Sequence, residues 1–350
     1  MYNGNNARTV THTPLAGKDS GSLSPLTKAI SQPGLELAYE YDEVGNIVKE
    51  TRNNTQIRYG YDELGQLLRV DDPTDKTAGS TGTTWLYTYD LGGNILKKTY
   101  HLHSTAAVIN PNTNPGVETV YSYHNTGWKD QLTEYDGKEI TYDEIGNPLE
   151  YNGWTYEWQA GRKLVSMRRE GILLEPSEVV IVQGDLIPGT LVELDDGRVG
   201  MVTEDEKIYI EPEDDGRPVE VTYKYNAAGL RIQKAVDGIK TDYFLHGKQL
   251  MHLKRERESM HFYYDAQGRP QTVKYNGTYY DYVHNLQGDI VGIVDESGLN
   301  VVVYSYDAWG KLLSMSGDLS GSLGTLNPFR YRGYVYDEET GLYYYSGQET

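Results

Sequence analysis

A short unit, Tyr-x-Tyr-Asp-x-x-Gly followed by Asn, Gln or Lys and an apolar residue, recurs along most of this chain. It stands at Tyr39/Tyr41/Asp42/Gly45/Asn46/Ile47, Tyr59/Tyr61/Asp62/Gly65/Gln66/Leu67, Tyr87/Tyr89/Asp90/Gly93/Asn94/Ile95 and Tyr304/Tyr306/Asp307/Gly310/Lys311/Leu312. Degenerate copies keep its grammar at Tyr121/Tyr123/His124/Gly127, Tyr142/Asp143/Gly146, Tyr156/Trp158/Gly161, Tyr223/Tyr225/Asn226/Gly229, Tyr264/Asp265/Gly268 and Tyr282/His284/Asn285/Gly288. Tyrosines two apart on a strand project from one face. Asp opens a turn by accepting local N–H groups, and Gly closes it by tolerating positive φ. Each copy therefore reads as one β-hairpin, and a lone hairpin cannot bury its face. Repetition of such units dictates the architecture before any other signal does. The expected fold is all-β, a spiralling sheet of antiparallel hairpins forming a partial shell.

Near the C-terminal end the pattern condenses into one stretch, residues 327–344. It contains Pro328, Phe329, Arg330, Tyr331, Arg332 and Gly333, then Tyr334, Tyr336, Asp337, Gly341, Leu342 and Tyr343. It reads as two aromatic strands around an Asp-x-x-x-Gly turn, with Tyr334 and Tyr336 on one face. Arg330 and Arg332 lie two apart, which on a strand places both guanidinium groups on one face. There they would stack on tyrosines and pair with Asp337 or Glu338.

This stretch resembles the core signature that closes the YD-repeat region of bacterial Rhs and wall-associated polymorphic toxins, and the YD shell of teneurins. The resemblance covers roughly residues 35–345. It implies a thin shell of hairpins that encloses a C-terminal toxin domain, secreted or at the bacterial cell surface as part of a longer exported protein. Family members carry an aspartyl self-cleaving site beyond the signature. The final residues 346–350 depart from the family pattern there, so no catalytic residue carries over and the chain is expected to be a non-enzymatic fragment of the shell.

Composition fits a wall. The chain has 32 Tyr against 3 Phe and 5 Trp, together with 38 Gly. A tyrosine core suits thin walls, because each ring has an apolar body and a hydroxyl that needs a partner. The formal net charge of −19 disfavours nucleic acid as a partner, since phosphate binding needs clustered Lys and Arg. No apolar run is long enough to span a membrane, and no disulfide is possible without Cys.

In chain order, residues 1–34 read as a linker or irregular edge segment and residues 35–172 as the first part of the repeats. Residues 173–222 read as an acidic inserted β-meander with Asp-Gly hairpin turns. Residues 223–326 resume the repeats, and residues 327–350 hold the signature. The insert lacks the ligand spacing of a calcium loop.

No chemistry stands out. There is no Gly-x-Ser-x-Gly elbow and no phosphate-cradling loop. The repeated Asp residues sit regularly before the turn Gly, which marks them as structural rather than as acid–base pairs. His101 and His103 would share a strand face but have no third ligand near them in sequence, so no metal and no cofactor are expected. A second reading, from a different class, is a cell-surface protein that binds glycans by stacking exposed Tyr and Trp on sugar rings. The two readings differ in whether the tyrosines face inward or outward.

Overall fold

The computed structural model describes residues 11–16, 23–169, 172–174, 181–184, 186–188, 190–194, 199–204, 207–210 and 219–344. Among them, regular structure is almost entirely antiparallel strand, with short helical turns at Ser320–Gly324 and Tyr331–Gly333. The fold is all-β, a long sheet of hairpins in which a strand generally pairs with its neighbours in the chain.

The chain divides into two compact units. The first comprises Met1–Asp130, His246–Leu253 and Arg257–Thr350 and contains two hairpin ribbons. One runs from Thr11–Ala16 to Val117–Ser122, the other from Glu258–Tyr264 to Leu312–Ser316. The second unit, Gln131–Leu245 with Lys254–Glu256, holds the middle repeats and the insert.

Two kinds of turn recur among the hairpins. On one edge lies the Asp-x-x-Gly turn. The Asp42 N–H donates to the Asn46 carbonyl at 2.9 Å, and the Asp42 carbonyl accepts from Gly45 N–H at 3.3 Å. Asp42 Oδ1 also accepts from the N–H groups of Val44 and Asn46 at 3.0 and 2.8 Å. The same backbone bonds recur at Asp62, Asp90, Asp143 and Asp307, and Asn226 and Asn285 substitute for Asp in that pattern. On the other edge lie tight two-residue turns with positive φ, such as Asn53-Asn54, Asn152-Gly153 and Asn276-Gly277, whose geometry suits strand twist. The His124 copy departs from the rule, and there Asn125 Oδ1 caps Gly127 and Trp128 instead.

The turn glycines Gly65 and Gly93 are exposed and lie on the solvent rim of the turn. Gly65 N–H donates to the Asp62 carbonyl at 3.1 Å and Gly93 N–H to that of Asp90 at 3.2 Å, with φ of +77° and +89°. A turn edge in water needs the left-handed backbone and not burial, so these two residues add chain geometry and no packing.

Two boundaries differ from the sequence expectation. Within residues 1–34, expected to be a linker or irregular edge segment, Thr11–Ala16 and Leu23–Gln32 are paired strands with register shifts around Pro14. Proline has no N–H to give a ladder, which accounts for the irregularity. The repeats resume earlier than residue 223. Val219–Tyr225 pairs directly with Lys163–Arg169, placing Val219 opposite Arg169. The two strands are hairpin neighbours, and the insert is an excursion between them.

That excursion builds its own antiparallel sheet. Ile172–Leu174 pairs with Ile208–Ile210, which pairs with Val199–Val202, then Leu191–Leu194, then Ile181–Gln183. Val192, Leu194, Val202 and Ile208 form its core with Ile181. Its expected turns at residues 195–197, 205–206 and 214–216, like residues 346–350 at the C-terminus, lie outside the described residues. Deleting residues 172–218 and joining the flanking strands through a short Gly/Ser linker is expected to leave a cooperative thermal transition, because no ribbon pairing is lost. Complete loss of cooperative unfolding in that variant would show the insert to be integral to the sheet.

Candidate functional site

The repeat's two tyrosines do different work. The first fills the core: Tyr39, Tyr87, Tyr223, Tyr282 and Tyr304 are all buried. The second ties one repeat to the one before it. Tyr61 Oη donates to the Ile47 carbonyl at 3.0 Å, Tyr89 Oη to that of Leu67 at 2.7 Å, and Tyr123 Oη to that of Ile95 at 3.1 Å. Tyr306 Oη reaches the Ile290 carbonyl at 2.8 Å and Tyr225 Oη that of Leu164 at 2.7 Å. Tyr41 makes the same kind of bond to Thr27, and Tyr264 to Leu250. Where Trp158 replaces the tyrosine, its indole N–H donates to the Pro148 carbonyl at 2.6 Å. Ile47, Leu67 and Ile95 are the apolar residues that end the preceding unit, and a register shift just before the second tyrosine accompanies each turn. Each such bond contributes about 0.5–1.5 kcal/mol, so the ladder stabilises the ribbon as a series.

Within the first unit the two ribbons lock face to face. Leu286 packs on Ile30, Leu37 and Tyr39, and Ala308 on Ile57, Val70, Trp85 and Tyr87. Trp309 meets Tyr87 edge-on at 6.1 Å. Gln32 Nε2 donates to the His284 carbonyl at 2.5 Å, and Leu286 N–H donates to Tyr39 Oη at 3.2 Å. Asp307 serves both structures. Its Oδ1 caps its own turn at Trp309 and Lys311, while its Oδ2 lies 3.6 Å from Lys98 Nζ on the facing ribbon, both side chains buried.

Between the ribbons lies a cavity of about 170 Å³ whose lining includes Glu50, Asp72, Asp75, Asp289, Asp307 and Arg332. Its carboxylates are engaged. Glu50 takes Arg52 Nε at 2.5 Å and the Tyr59 hydroxyl at 3.2 Å. Asp75 takes the Trp85 indole N–H at 2.7 Å, Asp72 the Thr74 N–H at 2.7 Å, and Asp289 the Arg332 N–H at 2.9 Å. Burial, then the neighbouring Glu50 carboxylate, pushes the Tyr59 phenol well above its ordinary value. This is a set of structural polar contacts, with every acid already holding a donor. Among the described residues no group of three or more His, Asp or Glu is placed to hold a metal ion. His101 is buried, with Nδ1 3.0 Å from the Asn114 carbonyl, and His103 falls beyond the end of the Ile95–Leu102 strand.

The C-terminal signature plugs onto the second ribbon. Asn327 accepts from Tyr282 Oη at 2.7 Å and donates to the Phe329 carbonyl at 2.6 Å. Phe329 meets Phe262 edge-on at 4.9 Å. The Arg330 carbonyl accepts from Ile290 N–H, and the Pro328 carbonyl from Tyr336 N–H. Val335–Asp337 and Leu342–Tyr344 pair as two short strands, Tyr336 opposite Tyr343, closed by Gly341 N–H on the Asp337 carbonyl. Tyr343 Oη reaches back to the Gly310 carbonyl at 2.9 Å. Gly310 is required there: its φ is +89° and a Cβ would lie 2.4 Å from the Tyr331 ring.

The two arginines do not share a face. Arg332 sits in a tight turn, Tyr331–Gly333, with φ of 54°, so the two-apart rule for strands fails. Arg330 is fully buried, its guanidinium 4.2 Å from the Tyr336 ring centre and 5.3 Å from that of Tyr304. Its Nη2 reaches Glu338 Oε2 at 2.5 Å and the Gly324 carbonyl at 3.2 Å. Arg332 is half-exposed and lies 3.7 Å from Asp289. Tyr334 falls outside the strand and is exposed, while Tyr336 stacks on Arg330.

A repeat copy without tyrosines escaped the sequence reading. Asp295 N–H donates to the Leu299 carbonyl and the Asp295 carbonyl accepts from Gly298 N–H, with Oδ1 capping Ser297 and Leu299. Asp-x-x-Gly alone was the signal.

The description "RHS Repeat" belongs to a family model that matches residues 41–77, a span holding the turns at Asp42 and Asp62 and the tyrosine-to-carbonyl tie from Tyr61 to Ile47. The chain is an Rhs/YD-repeat protein. Its YD repeats are 30% identical over 288 residues to the tRNA nuclease WapA of Bacillus subtilis, covering 81% of this chain and 10% of that protein. The tRNA3(Ser)-specific nuclease WapA of Bacillus spizizenii is 29% identical over the same shares. This YD-repeat chain thus spans about a tenth of the length of these relatives. Among solved structures, the TcdB2-TccC3-Cdc42 crystal structure matches its fold with a TM-score of 0.58 at 16% identity, over 96% of this chain and 16% of that one. The Photorhabdus luminescens Tc holotoxin pore matches with a TM-score of 0.56 at 15% identity, over the same shares.

Proposed function

We propose that this chain is a non-enzymatic wall segment of a polymorphic toxin, secreted or displayed at a bacterial surface, whose repeats help enclose and deliver a toxin domain carried C-terminal to them. The tyrosine ladder carries the reading. It commits each repeat's second hydroxyl to the wall's own backbone and turns the first tyrosine into the core. A glycan-binding surface needs those rings outward, so the ladder favours the wall over that alternative. The relatives named as tRNA nucleases are about ten times longer than the matched segment, so the nuclease activity in their names need not reside in repeats of this kind. The cavity in the first unit, about 170 Å³, is far smaller than any folded domain. A passenger would therefore be enclosed by a longer run of repeats than this one.

Transfer RNA incubated with an equimolar amount of the purified chain is expected to remain intact on a denaturing gel. Fragments that accumulate in proportion to chain concentration would overturn the non-enzymatic assignment.

A further inference from the structure

We infer that the insert at residues 172–218 is a docking module for a basic protein segment with an apolar centre. This goes beyond the wall function and does not depend on it. The ribbon has no structural need of the insert, because Arg169 and Val219 are already Cα partners. The insert also keeps its own core, built from Val192, Leu194, Val202 and Ile208.

What the insert adds is a second, uncovered face. Along Leu191–Leu194 burial alternates, with Val192 and Leu194 inward and Leu191 and Glu193 outward. Leu191 is 65% exposed, and Met201, its cross-strand partner, is 43% exposed. The tight turn before them, closed by Thr190 N–H on the Ile187 carbonyl, adds Leu186 and Ile187 at 42% and 56% exposure. Solitary exposed apolar residues are ordinary, but an exposed cross-strand apolar pair with two more apolar side chains exposed in the turn that leads into it marks a contact surface.

Charge selects the occupant. Residues 172–218 contain 13 Asp and Glu against 3 Lys and Arg, a net −10 out of the chain's −19. A second copy of this module would be repelled, as would nucleic acid or an anionic lipid surface. A partner that carries both apolar side chains and Lys or Arg satisfies both features, apolar contact and opposite net charge.

The test uses the full chain and a fluorescein-labelled amphipathic Leu/Lys peptide, with a Leu/Glu peptide of the same pattern as control, read by anisotropy. The full chain is expected to bind the Leu/Lys peptide and not the Leu/Glu peptide. Leu191→Glu with Met201→Glu is expected to weaken binding at least about tenfold, although it makes the surface more acidic. Leu191→Gln with Met201→Gln, which leaves the charge unchanged, should weaken it as well. The chain lacking residues 172–218 should lose binding. Both substituted positions face solvent, so unchanged circular dichroism is expected of each double variant. Equal or tighter binding by the double Glu variant would mean attraction by charge alone and overturn the docking face. Undiminished binding by the deleted chain, or no binding by the full chain, would overturn it too.

Discussion

Titrated upward from pH 9, the chain is expected to lose its sheet abruptly near pH 11, with tyrosine ionisation and unfolding in one step. Burial raises the phenols of Tyr39, Tyr87, Tyr282 and Tyr306 well above their ordinary value, and that of Tyr304 to about 12. In the unfolded chain a phenol titrates near 10. A raised folded value means that the stability is fully present below pH 10 and drains away as pH climbs from 10 toward the folded value, because only the unfolded chain releases these protons. At pH 11 each such ring costs about 1.4 kcal/mol, and the five together about 7 kcal/mol. That is comparable to the whole stability of an ordinary domain, about 5–15 kcal/mol. Absorbance at 295 nm and far-ultraviolet circular dichroism, followed together, check this. A broad titration centred on pH 10 with the sheet signal intact would contradict it.

Replacing Arg330 by Lys is expected to destabilise the first unit by about 2–4 kcal/mol, while Arg332→Lys should cost about 0.5 kcal/mol or less. Arg330 lies with its planar group against Tyr336 and Tyr304 in full burial, and a lysine keeps the charge but not the plane or the fork. The Glu338 contact contributes a minor part of this, because that carboxylate is 41% exposed and screened. Arg332, half in solvent, keeps most of its interactions with an ammonium group. Urea midpoints of the two single variants separate the cases, and equal midpoints would show that the arginines share one environment after all.

How much of this was legible in the sequence follows from how local each cause is. The turns at Asp42, Asp62, Asp90 and Asp307 are written within five consecutive residues, so their chemistry could be read directly. That Gly65 and Gly93 would sit on the solvent rim was less plain, because a turn motif fixes backbone angles and not exposure. The tie from Tyr61 to the Ile47 carbonyl could not be read at all, since it depends on which strands pair. Nor could the bridge from Asp307 to Lys98, which spans the two ribbons. The true start of the later repeats at Val219 was hidden for the same reason: its partner, Arg169, lies across the whole insert. Pairing Tyr336 with Tyr343 around the Asp337 turn was local and readable, but the left-handed backbone at Arg332 broke the assumed strand and separated the arginines.

On the proposed function, limited proteolysis of the toxin polypeptide in which this chain would form part of the wall tests most directly whether the repeats enclose a passenger. The part that follows the signature is expected to resist protease while the repeats are folded. It should become cleavable when the repeats are opened, either above pH 11 or by Arg330→Lys under mild urea. Cleavage of that part at the same rate whether the repeats are folded or opened would contradict the wall, and would leave the YD repeats as a scaffold that encloses nothing.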